Sequence, residues 1–355
     1  MSESSGHGQA GVLRIALAGC GRIAANHIDA IAATPGLELV AVCDIVPDRA
    51  KAIGEKAGVA WFVSYEEMLA STDCEIVAIA TPSGLHPEQG VLAARSGRHV
   101  VTEKPMAISL EGADGLVAAC RESGVQLFVV KQNRLNPAVQ LLRRALDKER
   151  FGRLYLVSCS VLWSRPQEYY DQAPWRGTWA LDGGAIMNQA SHYVDLLQWV
   201  LGPIDRVCGM TATLARKIEA EDTGAAVLRA RSGAMGVLQV TMLTYPQNLE
   251  GSITVIGERG TARIGGTAVN RVEKWEFAEP DAEDDAAVGL VNTSPPNVYG
   301  YGHVGYYRNV VEALHGNAPA NTDGMEGRKS LELILALYAA SREGREIRLP
   351  LERSP

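Results

Sequence analysis

A chain of 355 residues is long enough for about two domains at roughly 150 residues each. Its 46% hydrophobic and 21% charged residues are globular proportions, which excludes disorder or a fibrous repeat as the organising principle. A net charge of −7 argues against bulk binding of nucleic acid or an anionic membrane, so an anionic ligand must be met by a local cluster of Arg or Lys. No apolar run reaches the ~20 residues of a membrane span, and Leu331–Ala340 is broken by Glu332. Residues 1–11 are polar, lack the basic and apolar parts of a signal peptide, and read as a disordered leader. The six cysteines are far apart with no C-x-x-C, the pattern of free thiols in a reducing cytoplasm; neither a disulfide framework nor a metal site is expected.

The first third alternates short apolar runs with helical patterns. Strands are predicted at Val12–Ala18, Leu37–Cys43, Glu75–Ala80, His99–Thr102 and Val125–Val130. Helices are predicted at Ile23–Ala33, Pro47–Ala57, Pro87–Ser96 and Leu110–Ser123. Such alternation implies a parallel sheet covered on both faces. A helix near Asn136–Lys148 is followed by a strand at Leu154–Val161. Mixed polar and apolar strand patterns then come without helices between them: Arg206–Ala215, Gly224–Arg231, Met235–Thr244, Ser252–Ile256 and Val272–Phe277. They suit an antiparallel sheet with one face partly open. Asp281–Asp285 reads as an acidic loop and Asn292–Asn297 as a Pro-containing one, before helical patterns at Tyr306–Leu314 and Gly327–Ser341. The fold class is therefore α/β: a domain over 12–132 and an α+β domain over 133–355, with the boundary near Lys131–Asn133.

Gly19-Cys20-Gly21-Arg22-Ile23-Ala24 lies between the first strand and first helix and reads G-x-G-x-x-A. Gly19 permits the tight turn, Gly21 lets backbone approach a pyrophosphate on the helix N-terminus, and Ala24 keeps the helix near the sheet. Asp44 closes the second strand 25 residues after Gly19, near the ~20 expected of the acid that grips the adenine ribose. That carboxylate would repel a 2′-phosphate, which favours NAD, although Arg49 leaves NADP open. Thr81 and Ser83 follow the next core strand, at the carboxyl-end crevice where an open α/β sheet keeps its ligand. His86 beside them is either a cofactor neighbour or the start of a helix.

Glu103-Lys104-Pro105 follows another short strand. Pro105 stiffens the turn, so Lys104 is aimed by a rigid segment; a desolvated Lys can act as general acid or base. These motifs, with the run Asp182-Gly183-Gly184-Ala185-Ile186-Met187-Asn188-Gln189-Ala190-Ser191-His192-Tyr193-Val194-Asp195, resemble the Gfo/Idh/MocA sugar oxidoreductases over nearly the whole chain after Val12. The resemblance implies a Rossmann domain followed by an open-faced sheet, with Lys104 and His192 flanking the reacting carbon. Many members carry Asp one turn before that His. Asn188 stands here, and an amide cannot take a proton, which leaves Lys104 or His192 as the base. Asp195 would orient His192 or cap a turn. The resemblance also puts Arg22, Ile23, Glu103, Gln132, Trp175 and Arg176 near the cofactor.

The stretch from Trp163 to Trp179, containing Arg165, Tyr169, Tyr170, Trp175 and Arg176, is similar to one subgroup, the bacterial UDP-N-acetyl-2-amino-2-deoxyglucuronate 3-dehydrogenases (WlbA/WbpB type). That similarity implies oxidation of the 3-hydroxyl of a UDP-linked N-acetylated uronic acid on the route to lipopolysaccharide O-antigens, with NAD, in a homotetramer. The residues make independent sense. Arg165 and Arg176 supply local positive charge for a diphosphate and a carboxylate, Lys131 and Arg134 are a second basic pair, and Tyr169, Asn188 and Gln189 offer polar contacts to a sugar. Tyr299, Tyr301 and His303 are closer to a packing pattern than to a site. Other readings of the motifs are another sugar or cyclitol dehydrogenase, an NAD-dependent glycosidase, or a non-catalytic regulator that senses NAD and sugar.

Overall fold

The computed structural model describes residues 11–282, 284–292, 300 and 302–351. The expected leader, apart from Gly11, lies outside the described residues, as do Glu283 of the acidic loop, 293–297 of the Pro-containing loop, Tyr299 and Tyr301.

The first layer is built from β1 (Leu13–Ala18), α1 (Ala24–Ala32), β2 (Leu37–Cys43), α2 (Pro47–Ala57), β3 (Ala60–Phe62), α3 (Tyr65–Ser71), β4 (Ile76–Ile79), α4 (His86–Arg95), β5 (His99–Thr102), α5 (Leu110–Glu122) and β6 (Leu127–Val129). All its strand pairs are parallel, in the order β3-β2-β1-β4-β5-β6. The sequence order reverses direction beside β1, and the crevice at that switch point is where such sheets bind dinucleotides. β4 is buried throughout, as a strand covered on both faces must be. The elements not anticipated, β3 and α3, are short. Ser64 starts α3 by accepting from the Glu67 amide at 3.1 Å.

The second layer holds α6 (Pro137–Asp147), β7 (Leu154–Leu162), α7 (Gln167–Asp171), α8 (Ser191–Leu201), β8 (Ile204–Ala212), β9 (Thr223–Ala230), β10 (Met235–Thr241), β11 (Glu250–Gly257), β12 (Gly260–Gly265), β13 (Arg271–Phe277), α9 (Asp284–Val291), α10 (Gly302–Leu314), α11 (Gly324–Glu343) and β14 (Ile347–Arg348). Its sheet runs β13-β12-β11-β7-β10-β9-β8-β14, antiparallel except between β7 and β10. The acidic loop is shorter than expected because Asp284, bonded to Arg150, opens α9. Along β9, Gly224, Ala226, Leu228 and Ala230 are buried while Ala225, Val227 and Arg229 point out. Helices α6, α8 and α11 cover the inner face. Met210, Val227, Met235, Tyr155 and Ile256 stay exposed on the strands.

The end of the chain returns to the first layer. Tyr306, Tyr307, Val310, Val311 and Ala313 of α10 share one apolar cluster with Ile15, Leu17, Ile76 and Val101. Beside β6, the Val129 amide donates to the Thr322 carbonyl at 2.8 Å, and Phe128 bridges Asp323. The six cysteines are free thiols, five buried and Cys208 exposed.

Candidate active site

The turn after β1 is held from two sides. Gly19 has φ +99°, and a Cβ there would fall 2.5 Å from the Ala80 carbonyl oxygen, so only glycine fits. Gly21 is exposed, and a Cβ there would meet nothing within 4 Å, which leaves its backbone open to a ligand. The Asp44 carboxylate accepts from the Cys20 and Val46 amides, both at 2.9 Å, fixing the acid at the mouth of the turn. Arg22 and Ile45 are exposed beside it and Ile23 is half-buried. This open, glycine-lined cradle with a carboxylate at its far end fits a dinucleotide.

Thr81 and Ser83 stand on the loop after β4. Thr81 Oγ1 donates to Gln89, and Gly84 N donates to the Leu181 carbonyl, which ties this loop to the second layer. His86 is the first residue of α4 and is buried, its ring nitrogens 2.8 Å from the carbonyls of Thr81 and Pro105. It locks the Thr81 loop to the Lys104-Pro105 turn, and burial lowers its pKa.

Lys104 is half-buried, and its Nζ donates to the Asn188 carbonyl at 2.9 Å. Burial lowers its pKa, opposed by the charges of Glu103 and Asp182. That carbonyl belongs to a π-turn, Ala185–Gln189, which leads into α8. The Asn188 side chain donates to Asp182, whose other oxygen accepts from Gly177 N at 2.7 Å. His192, in the first turn of α8, is buried and 3.1 Å from the amide of Gln132. Its Nδ1 has no hydrogen-bond partner among the described residues. Burial, then the nearby Lys104 charge, push the imidazole well below its ordinary pKa, so it is neutral at physiological pH. The half-buried Lys104 and buried His192 are thus close enough for the charge of one to act on the other.

Arg165, Tyr169, Arg176 and Gln189 form a second cluster. Arg165 Nε donates to Gln189 Oε1 at 3.0 Å and Nη1 to Asn248 Oδ1 at 3.1 Å; the Gln189 amide donates to the Tyr169 hydroxyl at 3.0 Å. Both guanidiniums lie over the Tyr169 ring, at 5.5 Å for Arg165 and 4.1 Å for Arg176. Arg176 also faces Trp175 at 5.1 Å, and its buried Nε has no hydrogen-bond partner among the described residues. Trp163 and Tyr170 are buried packing residues, Trp163 against Tyr193, and Trp179 packs on Tyr338.

Two expectations are corrected. Lys131 and Arg134 do not face an anionic ligand. Arg134 forks onto Asp195 at 2.7 and 2.8 Å and reaches Glu326 at 3.0 Å, while Lys131 donates to Ser330 at 2.6 Å beside the same Asp195. Asp195 therefore neutralises these cations and does not orient His192; buried charges must be paired. Sequence reading also passed over His27, Tyr307 and Glu221. Glu221 lies beneath the Gly183-Gly184 turn and accepts from Ile186 N and the Tyr338 hydroxyl, both at 2.8 Å. Burial raises its carboxyl to about 8.

Residues 13–131 match the family model described as oxidoreductase family, NAD-binding Rossmann fold, and residues 139–263 match the GFO/IDH/MocA C-terminal domain. The chain belongs to the Gfo/Idh/MocA oxidoreductase family. Among solved structures of that family, it is similar to the WlbA dehydrogenase of Bordetella pertussis in complex with NADH and UDP-GlcNAcA. The two are 54% identical over 96% of this chain and 99% of that one, with a TM-score of 0.93. The Chromobacterium violaceum WlbA dehydrogenase, also in complex with NADH and UDP-GlcNAcA, is 52% identical over 97% of this chain and 98% of that one, with a TM-score of 0.92. A D-apiose dehydrogenase of Paraburkholderia graminis is 28% identical over 94% of this chain and 89% of that protein. The Gfo/Idh/MocA fold, a Rossmann domain that binds NAD and a mostly antiparallel second sheet, is thus the fold of this chain.

Proposed function

We propose that the protein is an NAD-dependent dehydrogenase that oxidises the 3-hydroxyl of UDP-N-acetyl-2-amino-2-deoxy-D-glucuronate to the ketone. The reading rests above all on end-to-end similarity, at 54% identity, to a dehydrogenase solved with NADH and UDP-GlcNAcA. Gly19, Gly21, Arg22, Ile23, Asp44, Thr81 and Ser83 hold the cofactor, with Glu103, Gln132, Trp175 and Arg176 nearer its reactive end. Bound NAD supplies the hydride acceptor. Lys104, with a pKa lowered by burial, takes the hydroxyl proton. Neutral His192, whose Nδ1 has no partner among the described residues, contacts and polarises the oxygen as it becomes a carbonyl. Asn188, Gln189, Tyr169, Arg165 and Arg176 hold the sugar nucleotide.

Residues 12–132 serve the cofactor and 133–355 the substrate and self-association. The exposed apolar face of the second sheet supports a homo-oligomer, in our reading a tetramer. No helix among the described residues is long and apolar enough to cross a membrane, which accords with a cytoplasmic enzyme supplying O-antigen precursors. The test is rapid mixing of enzyme, NAD and UDP-GlcNAcA. Nicotinamide reduction together with a sugar product two hydrogens lighter is expected. Its absence, with turnover of an unphosphorylated sugar or cyclitol instead, would overturn the reading.

A further inference from the structure

Three residues distant in sequence meet beneath the catalytic turn. His27 of α1 is fully buried, and its Nε2 lies 3.1 Å from Glu103 Oε1 at the end of β5. Its Nδ1 lies 2.6 Å from the hydroxyl of Tyr307, a fully buried residue of α10. The second Glu103 oxygen accepts from the Lys104 amide at 3.1 Å. Burial alone would raise the Glu103 carboxyl, but the hydrogen bond from His27, together with the nearby Lys104 charge, outweighs it and holds Glu103 well below the usual carboxylate range. A carboxylate can only accept, so Nε2 carries a ring proton, and in the neutral imidazole Nδ1 then accepts from Tyr307. The chain Tyr307 O–H to His27, His27 N–H to Glu103 thus has one direction, and it ends next to Lys104.

We propose that His27 and Tyr307 are positioning residues for Lys104: they fix Glu103 as an oriented carboxylate whose charge sets the proton affinity of the Lys104 ammonium. The argument rests on Lys104 as the base proposed above. The groups that face Lys104 or Glu103 are Asp182 before the π-turn, His192 of α8, Lys131 after β6, His86 of α4, and His27 and His303 of α1 and α10. Of these, Glu103 acts most strongly in favour of a charged Lys104, with Asp182 second. If Glu103 loses its donor and takes a proton, the ammonium loses that support and releases its own proton at lower pH. Oxidation needs neutral Lys104, so the acid limb of the kcat profile follows.

The experiment compares wild type, His27→Leu, His27→Gln and Tyr307→Phe. In His27→Leu the acid limb of kcat is expected to move to lower pH by about one unit, with KM for the sugar nucleotide within about threefold. His27→Gln, whose amide nitrogen replaces the Nε2 donor, is expected to move the limb back toward wild type. Tyr307→Phe keeps the packing and frees the tautomer, so its shift is smaller and in the same direction. A limb unchanged in His27→Leu, or shifted equally in His27→Gln, would overturn the proposal. A substrate-free readout separates its failure from failure of the assigned reaction. Long-range proton–nitrogen spectra of histidine-labelled wild type, with His27 assigned by its loss in His27→Gln, are expected to show the Nε2–H tautomer at neutral pH. An Nδ1–H ring would overturn the proposal whatever the substrate.

Discussion

The Lys104 ammonium donates to the backbone carbonyl of Asn188, 84 residues further along the chain, at 2.9 Å. A lysine that follows the parallel sheet is thereby aimed by a main-chain atom of the turn leading into α8. The π-turn that carries this carbonyl also carries Gln189, which touches Arg165 and Tyr169. Lys104 and the Arg165–Tyr169 cluster therefore meet at a single turn of backbone.

Lys104→Met keeps the length of the side chain and removes its basicity. Turnover is expected to fall by roughly 10²–10⁴-fold, the usual worth of a positioned acid or base. NAD binding, followed by fluorescence or calorimetry, is expected to change little. Turnover within a few-fold of wild type would assign proton abstraction to another group, His192 first.

Asp44 holds the Cys20 amide of the Gly19–Gly21 turn with one carboxylate oxygen and the Val46 amide with the other, so it cannot swing away from a 2′-phosphate without releasing two amides. NAD is expected to be preferred over NADP by ~2 kcal/mol or more, about 30-fold in kcat/KM. Equal values for the two cofactors would show that Arg49 or another cation compensates.

Arg176 lies over Tyr169 and Trp175 and forms no salt bridge within 4.0 Å among the described residues. A cation so placed suits a substrate carboxylate. UDP-GlcNAc, with a hydroxymethyl group in place of the carboxylate, is expected to be disfavoured by about 10³-fold in kcat/KM, ~4 kcal/mol. Arg176→Ala should collapse that ratio by slowing the uronate far more than the hexosamine. If the ratio survives, Arg165 is the residue to change next.

Glu221 is buried with its carboxyl raised to about 8 from an ordinary 4.5. The folded state holds this proton where the unfolded chain has released it, so the contribution is full below pH ~4.5 and is lost as pH rises toward 8. Stability is expected to decline through that window, by up to ~1.4 kcal/mol per pH unit from this group. Glu221→Gln, isosteric with the protonated acid, should flatten the decline. Melting temperatures of both proteins at pH 5.5 and 8.5 are the measurement, and parallel pH dependence would sink the assignment.

The fold was legible because its signals are local. Continuous apolar runs such as Ile76–Ile79 and the alternation along Thr223–Ala230 state their period directly. The family resemblance paired Lys104 with His192 and singled out Arg165, Tyr169, Arg176 and Gln189, residues whose mutual contacts only the fold displays. What stayed hidden depends on distant partners. Lys131 and Arg134 read as free cations because Asp195, Glu326 and Ser330, which engage them, come 61 to 199 residues later. His27 reads as one polar residue on a helix until Tyr307, 280 residues away, is folded beside it. Asp195 follows His192 by three positions and suggested a partnership, but the rotation of α8 turns it to Arg134.

The returning helix α10 also bears on synthesis. The apolar surface of β1 and β4 that Tyr306, Tyr307, Val310 and Val311 cover is made within the first 80 residues, and its cover comes more than 220 residues later. A nascent cofactor domain leaving the ribosome therefore carries an uncapped apolar face until nearly the whole chain has emerged. A fragment ending near residue 132 would keep that wound open. It should be captured by chaperones or aggregate, and adding α10 as a peptide in trans should rescue it better than adding cofactor.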